Sequence, residues 1–432
     1  MGETKFITAE IGVLPEGWKL IDIKSIADRN QEHSFIDGDW IEAKYIENNG
    51  IRLIQTGNIG IGHFIEKETK KYISEKTFHE LNCKEVKPGD ILICRLAAPI
   101  GRACIAPDLG TKAITAVDVV ILKVNQNEYS REYINYYLNF EKTLQRMESF
   151  ASGSTRQRIS RTNLGNVLIA IPPLTEQRKI AAILSSVDEA IAKTEAIIEQ
   201  TEKVKKGLMQ QLLTKGIGHT KFKKTEIGEI PDSWNLVKLA DVFEIVKRPV
   251  EMRDEEEYQL VTVKRRYGGV VPRERLKGKQ IKVKSQFYLK HGDFLISKRQ
   301  IVHGACEVVP KELEGSIVSN EYHTLLVKNG IDIDFIRWYV RLPMMQNYFL
   351  LSSVGVHIEK MLFKIEDWFK RIIALPPLEE QKQIANTLSS IEQSILKNQK
   401  YLEQLQTIKK ALMQVLLTGK VRVKVDNEVM SQ

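Results

Sequence analysis

Two stretches of the chain repeat an apolar position every three or four residues. In the first, the series runs Ile180, Leu184, Val187, Ile191, Thr194, Ile198, Thr201, Lys205, Leu208 and Leu212. In the second it runs Ile384, Leu388, Ile391, Ile395, Asn398, Leu402, Leu405, Lys409, Leu412 and Leu416. A 3.5-residue period held this long predicts a coiled-coil seam. Leu184, Val187 and Ile191 in one helix, and Leu388, Ile391, Ile395 and Asn398 in the other, are the helix-pairing positions. Sparse aromatics and abundant Glu, Gln and Lys off the seam favour pairing over packing of each helix on a globular domain. The polar seam residues Thr194 and Asn398 are expected to fix register at some cost in stability. Pro172-Pro173 and Pro376-Pro377 precede the two series. Proline removes a donor and restricts its predecessor, so each helix starts there. About 40 residues at ~1.5 Å each make rods of ~60 Å. Elsewhere the pattern shortens. Strands are expected at 52–58, 90–95, 117–124, 258–263, 293–298 and 322–327, and helices at 131–146 and 335–351. The fold class is α+β: two mixed α/β domains separated by two long antiparallel coiled-coil helices.

The chain is written twice. Pro172-Pro173-Leu174-Thr175-Glu176-Gln177 returns 204 positions later as Pro376-Pro377-Leu378-Glu379-Glu380-Gln381, and over 43 aligned positions 22 are identical. The match closes with Leu208-Met209-Gln210 over Leu412-Met413-Gln414, and Leu212-Leu213-Thr214 over Leu416-Leu417-Thr418. Upstream echoes are weaker. Lys87-Pro88-Gly89-Asp90-Ile91-Leu92-Ile93 answers Lys290-His291-Gly292-Asp293-Phe294-Leu295-Ile296, and Pro15 and Trp18 answer Pro231 and Trp234. Tyr136-Tyr137 answers Trp338-Tyr339. The long helices have stayed alike while the globular parts diverged, which gives an internal pseudo-two-fold repeat.

Composition narrows the possible chemistry. The 432 residues are 43% hydrophobic and 28% charged, ordinary for a folded chain. Lys plus Arg number 64 against 55 Asp plus Glu, a net charge of +9 that favours a polyanionic partner. No window offers the ~18 unbroken apolar residues of a membrane span. Four cysteines in so long a chain are not a disulfide framework, so reduced thiols and a cytoplasmic location are expected. Cys83, Cys94 and Cys104 lack paired zinc-ligand spacing, and Cys94 and Cys104 are expected in a strand core. The glycines of Gly57-Asn58-Ile59-Gly60-Ile61-Gly62 are out of order for a dinucleotide loop, and no phosphate-cradling Gly-Lys-Ser/Thr motif occurs. Both Pro-Pro pairs have aliphatic neighbours, unlike the polar and aromatic flanks that amino-methylation needs. No catalytic residue and no metal site is expected.

Charge concentrates in two places. Between 264 and 299 lie twelve basic residues, among them Lys264, Arg265, Arg266, Lys279, Lys282, Lys284, Lys298 and Arg299, with Tyr267 interleaved. In the first half, Thr155, Arg156, Gln157, Arg158 and Arg161 follow Gly153-Ser154 in a loop. Lysines suit phosphate neutralisation, whereas Arg and Gln can also pair bidentately with guanine and adenine edges. These are the candidate DNA-binding residues.

The twin P-P-L-x-E-Q helices ending in L-M-Q-x-L-L-T resemble the specificity (S) subunits of type I restriction–modification systems. So do the K-x-G-D-x-L-I strand in each half, Leu53-Ile54-Gln55-Thr56-Gly57-Asn58-Ile59, and the Gly-Ser-Thr-Arg-Gln loop. The resemblance covers essentially the whole chain. It implies two target-recognition domains, at 1–171 and 217–375, each reading half of a bipartite asymmetric DNA site. Spacer helices would occupy 172–216 and 376–420, followed by a tail at 421–432. It implies docking of methyltransferase (modification) subunits that bring S-adenosylmethionine, and of a restriction (motor–nuclease) subunit using ATP and Mg, with no cofactor on this chain and no membrane partner. The chain departs from the pattern in one place: Ser352-Ser353-Val354-Gly355-Val356-His357 stands where the second Gly-Ser-Thr-Arg-Gln loop belongs, so the loop in that half is expected to contact DNA differently, or less. Two other classes stay open on sequence alone: a methyltransferase or nuclease with its own active site, and a coiled-coil scaffold that binds only protein.

Overall fold

The structure is a computed structural model and describes residues 6–9, 12–153 and 156–423. It divides into two compact units: Met1–Thr194 with Tyr401–Gln432, and Glu195–Lys400. The division cuts both long helices, the central helix Leu174–Lys215 (42 residues) and the C-terminal helix Leu378–Leu416 (39 residues).

The first unit is built on a four-stranded antiparallel sheet in the order Phe35–Asp37, Val119–Leu122, Ile91–Cys94, Ala103–Ile105. Its middle strands are buried on both faces, which is why they read as unbroken apolar runs, Ile-Leu-Ile-Cys and Val-Val-Ile-Leu. A three-stranded sheet of Tyr72–Ile73, Ile51–Ile54 and Ala113–Thr115 lies beside it, the last two parallel. Cys94 and Cys104 are buried in the cluster with Ile54, Leu92 and Ile121, as expected of core thiols.

The second unit repeats this order. Phe243–Ile245, Tyr322–Val327, Phe294–Ser297 and Cys306–Val308 form the four-stranded sheet. Val270–Lys277, Glu257–Val263, Ile317–Ser319 and Gln286–Tyr288 form a second sheet of four. The repeat is therefore topological, although the two domains share little sequence.

Each expected domain helix is two helices. The first breaks between Arg131–Leu138 and Glu141–Ser149. Asn139 sits at the break, with its side chain accepting from Ala103 N at 3.0 Å and donating to Ala103 O at 2.9 Å. The second breaks between Ile333–Tyr339 and Pro343–Leu351, where Pro343 starts the new helix because it has no N–H to contribute to the old one. The strand expected at 52–58 ends at Ile54, followed by a 3-10 turn at Thr56–Asn58.

Along the long helices, every seam position from Leu184 to Leu212 and from Leu388 to Leu416 is buried or half-buried, while most of the remaining positions are exposed. In the first unit, Ile180 and Leu184 share a cluster with Leu416 and Leu417. In the second, Leu212 and Leu213 share one with Ile384 and Leu388. Within each unit, then, the start of one long helix packs with the end of the other. Full burial of a leucine contributes roughly 1.5–3 kcal/mol. Thr194 and Asn398 each bond within their own helix. Thr194 Oγ1 donates to Ala190 O at 2.7 Å and Asn398 Nδ2 to Ser394 O at 2.9 Å, so each satisfies itself on its own helix.

Candidate nucleic-acid interface

The repeated motif residues anchor the domains. Gln177 accepts from Ser130 N at 2.8 Å and donates to Pro172 O at 2.8 Å, and Gln381 does the same to Asp332 N at 2.9 Å and Pro376 O at 2.8 Å. Glu176 accepts from Trp18 Nε1 at 3.3 Å and from Arg422 at 2.7 and 2.8 Å. Glu380 accepts from Trp234 Nε1 at 3.1 Å and pairs with His219 Nε2 at 2.7 Å. In the K-x-G-D turns the Asp carboxylates accept from Lys87 N at 2.8 Å and Lys290 N at 2.7 Å. These motif side chains are engaged in bonds inside the fold and build a platform.

On the first platform the arginine loop is pinned by its backbone. Ser152 and Arg158 exchange both backbone hydrogen bonds at 3.0 Å, and Ala97 N donates to Gln157 O at 3.1 Å. Gly153 has φ +108, and a Cβ there would stand 2.9 Å from Arg156 O, so only glycine fits the turn. Beneath the loop, buried Arg95 donates to Ile159 O at 3.1 Å and Val117 O at 2.9 Å, and lies 2.9 Å from Asp37. Burial lowers the pKa of Arg95 and the Asp37 carboxylate opposes that. Arg158 is 2.7 Å from Asp118, and Arg161 is 3.7 Å from Asp37. Arg156 and Gln157 are exposed and have no side-chain partner among the described residues, so a fixed backbone presents two free side chains. Thr155 lies outside the described residues.

Beside this loop is a cleft of about 320 Å³ lined by Trp40, Gln55, Thr56, Lys71, Leu96 and Asp118. Trp40 is 74% exposed. It is not among the residues expected at the interface, although an aromatic in the polar run Asp37-Gly38-Asp39-Trp40 is the signal that could have found it. An exposed indole can lie flat on a sugar or base.

In the second unit, a hairpin of Ser353–Val354 with Leu362–Phe363 replaces the arginine loop. Its tip carries Val356, 96% exposed. Arg265 reaches this hairpin through Glu359 at 2.6 Å and also donates to Gln300 Oε1 at 2.8 Å. Arg266 and Tyr267 turn the chain with positive φ, held by His303 O at 2.7 Å and Gly304 O at 2.9 Å.

The basic run is less free than its residue count suggests. Lys279 pairs with Glu255 at 2.6 Å, Arg299 with Glu321 at 2.7 Å, and Lys284 donates to Gly278 O at 2.6 Å. Tyr267 turns inward: its hydroxyl donates to Val340 O at 3.0 Å, and its ring covers Gly304. It serves packing more than it serves the surface. Burial lowers the pKa of Lys298 and Glu321 opposes that. Among the described residues, Lys264, Arg266 and Lys282 are exposed with no carboxylate partner, so they keep their charge available. Of the two platforms, the first offers free Arg and Gln, the second an apolar tip flanked by cations.

Two alike platforms with unlike loops, each carried on one of two twin helices, define a duplicated DNA-recognition protein. The chain belongs to the family whose model is described as type I restriction modification DNA specificity domain, which matches residues 15–203 and 231–407. It is 32% identical over 427 residues to the type I restriction enzyme MjaVIII specificity subunit of Methanocaldococcus jannaschii, covering 95% of this chain and 94% of that one. The fold is similar to the type I restriction–modification S subunit of M. genitalium, with a TM-score of 0.55, 15% identity, and coverage of 92% of this chain and 96% of that one. It is also similar to a chain from the structures describing complex assembly and conformational transition of the type I R-M system, with a TM-score of 0.54, 17% identity, and coverage of 94% and 99%. The role of this chain is DNA sequence recognition within a type I restriction–modification system. No helix among the described residues is long and apolar enough to cross a membrane.

Proposed function

We propose that each recognition domain reads one half of a split, asymmetric DNA target, and that the two long helices pair antiparallel as a coiled coil that sets the unread gap. The observation that carries this reading is the repeated strand order with different loops at the same place: Arg156 and Gln157 in one half, the Val356 hairpin in the other. Like frames with unlike contacts give unlike half-sites. Arg156 and Gln157 would read base edges, while Lys264, Arg266, Lys282 and Lys298 would hold phosphates. The chain would do no chemistry itself. S-adenosylmethionine would sit on methyltransferase subunits, ATP and Mg on a restriction subunit, and the complex would work in the cytoplasm on incoming DNA.

Docking has a matching feature on the helices. Ile197 and Val204 are exposed one heptad apart on the central helix, and Tyr401 and Ile408 are exposed at the positions 204 later on the C-terminal helix. An apolar pair at heptad spacing suits a partner helix, and its repetition suits a partner bound twice. Methylome sequencing of the source cells with and without this gene tests the whole reading. Disappearance of one split adenine motif is the expected result; an unchanged methylome would overturn it.

A further inference from the structure

We propose that Lys409 and Lys205 are positioning residues, each locking one recognition domain to both long helices and thereby holding the gap between half-sites to one length. This rests on the proposed split-site function and names the side chains that enforce the spacing.

Both lysines occupy seam positions where a heptad calls for an apolar residue, and both copies of the repeat keep lysine there. A charge in the seam weakens helix pairing, so it needs another role. In the first unit, Lys409 Nζ of the C-terminal helix lies 2.6 Å from Asp188 of the central helix. Asp188 also accepts from Tyr136 Oη, on the domain's own helix, at 2.7 Å. Lys409 Nζ is 5.9 Å from the centre of the Tyr136 ring, within cation–π reach. Burial, then the bond to Asp188, raises the pKa of Tyr136, so its hydroxyl stays a donor. One carboxylate thus ties three elements together.

The second unit places the same parts at the same repeat positions. Lys205 Nζ of the central helix is 3.8 Å from Glu392 of the C-terminal helix and 6.0 Å from the Trp338 ring. Here the lock is reinforced. Arg337 and Arg341 reach Glu392 at 2.9 and 3.3 Å and buried Glu307 at 3.0 and 2.8 Å. Arg341 also lies over Trp338 at 4.5 Å. If Lys205 is removed, Glu392 still has two guanidinium partners. If Lys409 is removed, Asp188 keeps only a neutral hydroxyl among the described residues.

The two locks should therefore fail unequally, and that inequality is the test. The complex with its methyltransferase subunits is assayed on DNA carrying the cognate half-sites at the native gap and at gaps one base pair longer or shorter. For Lys409→Met, selectivity against the altered gaps falls by roughly tenfold, the factor that ~1.4 kcal/mol of orienting interaction supplies, while the half-site bases stay the same. Lys205→Met lowers gap selectivity by clearly less, because Arg337 and Arg341 still hold Glu392, and Lys409→Arg restores what Lys409→Met loses. Should Lys409→Met melt below the assay temperature, the isosteric Asp188→Asn carries the same test. Unchanged gap selectivity in a folded Lys409→Met or Asp188→Asn protein, or an equal fall in Lys205→Met, would overturn the lock. If wild-type complex shows no dependence on half-sites at all, the functional reading fails instead.

Discussion

The indole N–H of Trp234 donates to Glu380 at 3.1 Å, joining the start of the second recognition domain to the first turn of the C-terminal helix. Trp18 and Glu176 repeat the bond in the first unit, where Arg422 closes the other side of the carboxylate at 2.7 Å. Glu176 is 3% exposed, so deleting it strands a buried indole and a guanidinium. Glu176→Ala is expected to destabilise the first unit by about 1–3 kcal/mol, discounted because Arg422 is partly solvated. Urea melts followed by tryptophan fluorescence check this. An unchanged midpoint would reduce the Glu of the repeated motif to helix punctuation.

Charge on the second domain divides into free and neutralised cations, and salt dependence can tell them apart. Replacing Lys264, Arg266 and Lys282 with Ala is expected to weaken binding to all DNA sequences alike and to flatten the log–log salt slope by about 0.9 for each phosphate left without its cation. Lys279→Ala should move the slope much less, because Glu255 stands 2.6 Å from that ammonium. Filter binding across a salt series measures both. Equal effects would mean that Glu255 gives way when DNA arrives.

His323 gives the second unit a pH dependence. Burial pushes its imidazole down to about 4, with Lys298 and Lys247 acting the same way and Glu366 opposing. The ring packs edge-on to Phe363 at 6.2 Å, under the hairpin that carries Val356. Its folded pKa lies below the unfolded value of ~6.5. The neutral ring's contribution is therefore complete above that value and is lost as pH falls from about 6.5 toward 4. The urea midpoint should drop between pH ~7 and ~5 in the wild type, and drop less in His323→Phe. Equal drops would place the acid sensitivity elsewhere.

What the sequence disclosed was local or repeated. The seam from Leu184 to Leu212 is one face of one helix, and its copy 204 positions later removed ambiguity. The K-x-G-D-x-L-I strands were legible for the same reason, since Ile91–Cys94 and Phe294–Ser297 stand at the same place in the two copies. What stayed hidden depended on partners far along the chain. The helix break at Asn139 answers to Ala103, and the neutralisation of Lys279 answers to Glu255. Tyr267 looks like an aromatic among cations, but its hydroxyl bonds Val340, 73 residues on. Thr194 and Asn398 show the limit from the other side: each polar seam side chain donates to a carbonyl four residues back on its own helix, a bond that heptad spacing does not reveal.

Reading and spacing should be separable if, as proposed, they fall to different residues. Arg156 and Gln157 are exposed side chains on a loop whose backbone is held by Ala97 and Ser152, so replacing both with Ala leaves the platform intact. Removing a bidentate pairing with a base is expected to cost about 1–3 kcal/mol of discrimination, relaxing one half of the target with the gap unchanged. On the proposed reading, spacing would belong to the helices between the pairs Asp188–Lys409 and Lys205–Glu392. In both pairs the residue numbers add to the same total, and Ile198 and Gln399 share that total, so they would stand level on helices paired antiparallel as proposed. Inserting four residues after each adds about 6 Å at ~1.5 Å per residue. Four residues make a stutter, which strains a coiled-coil seam locally but lets it continue. At ~3.4 Å per base pair the gap should lengthen by one or two base pairs, with both half-sites kept. Methylome sequencing of cells carrying each variant reads the two outcomes separately. A changed half-site after the insertion, or a changed gap after Arg156→Ala and Gln157→Ala, would show that the same residues serve both tasks.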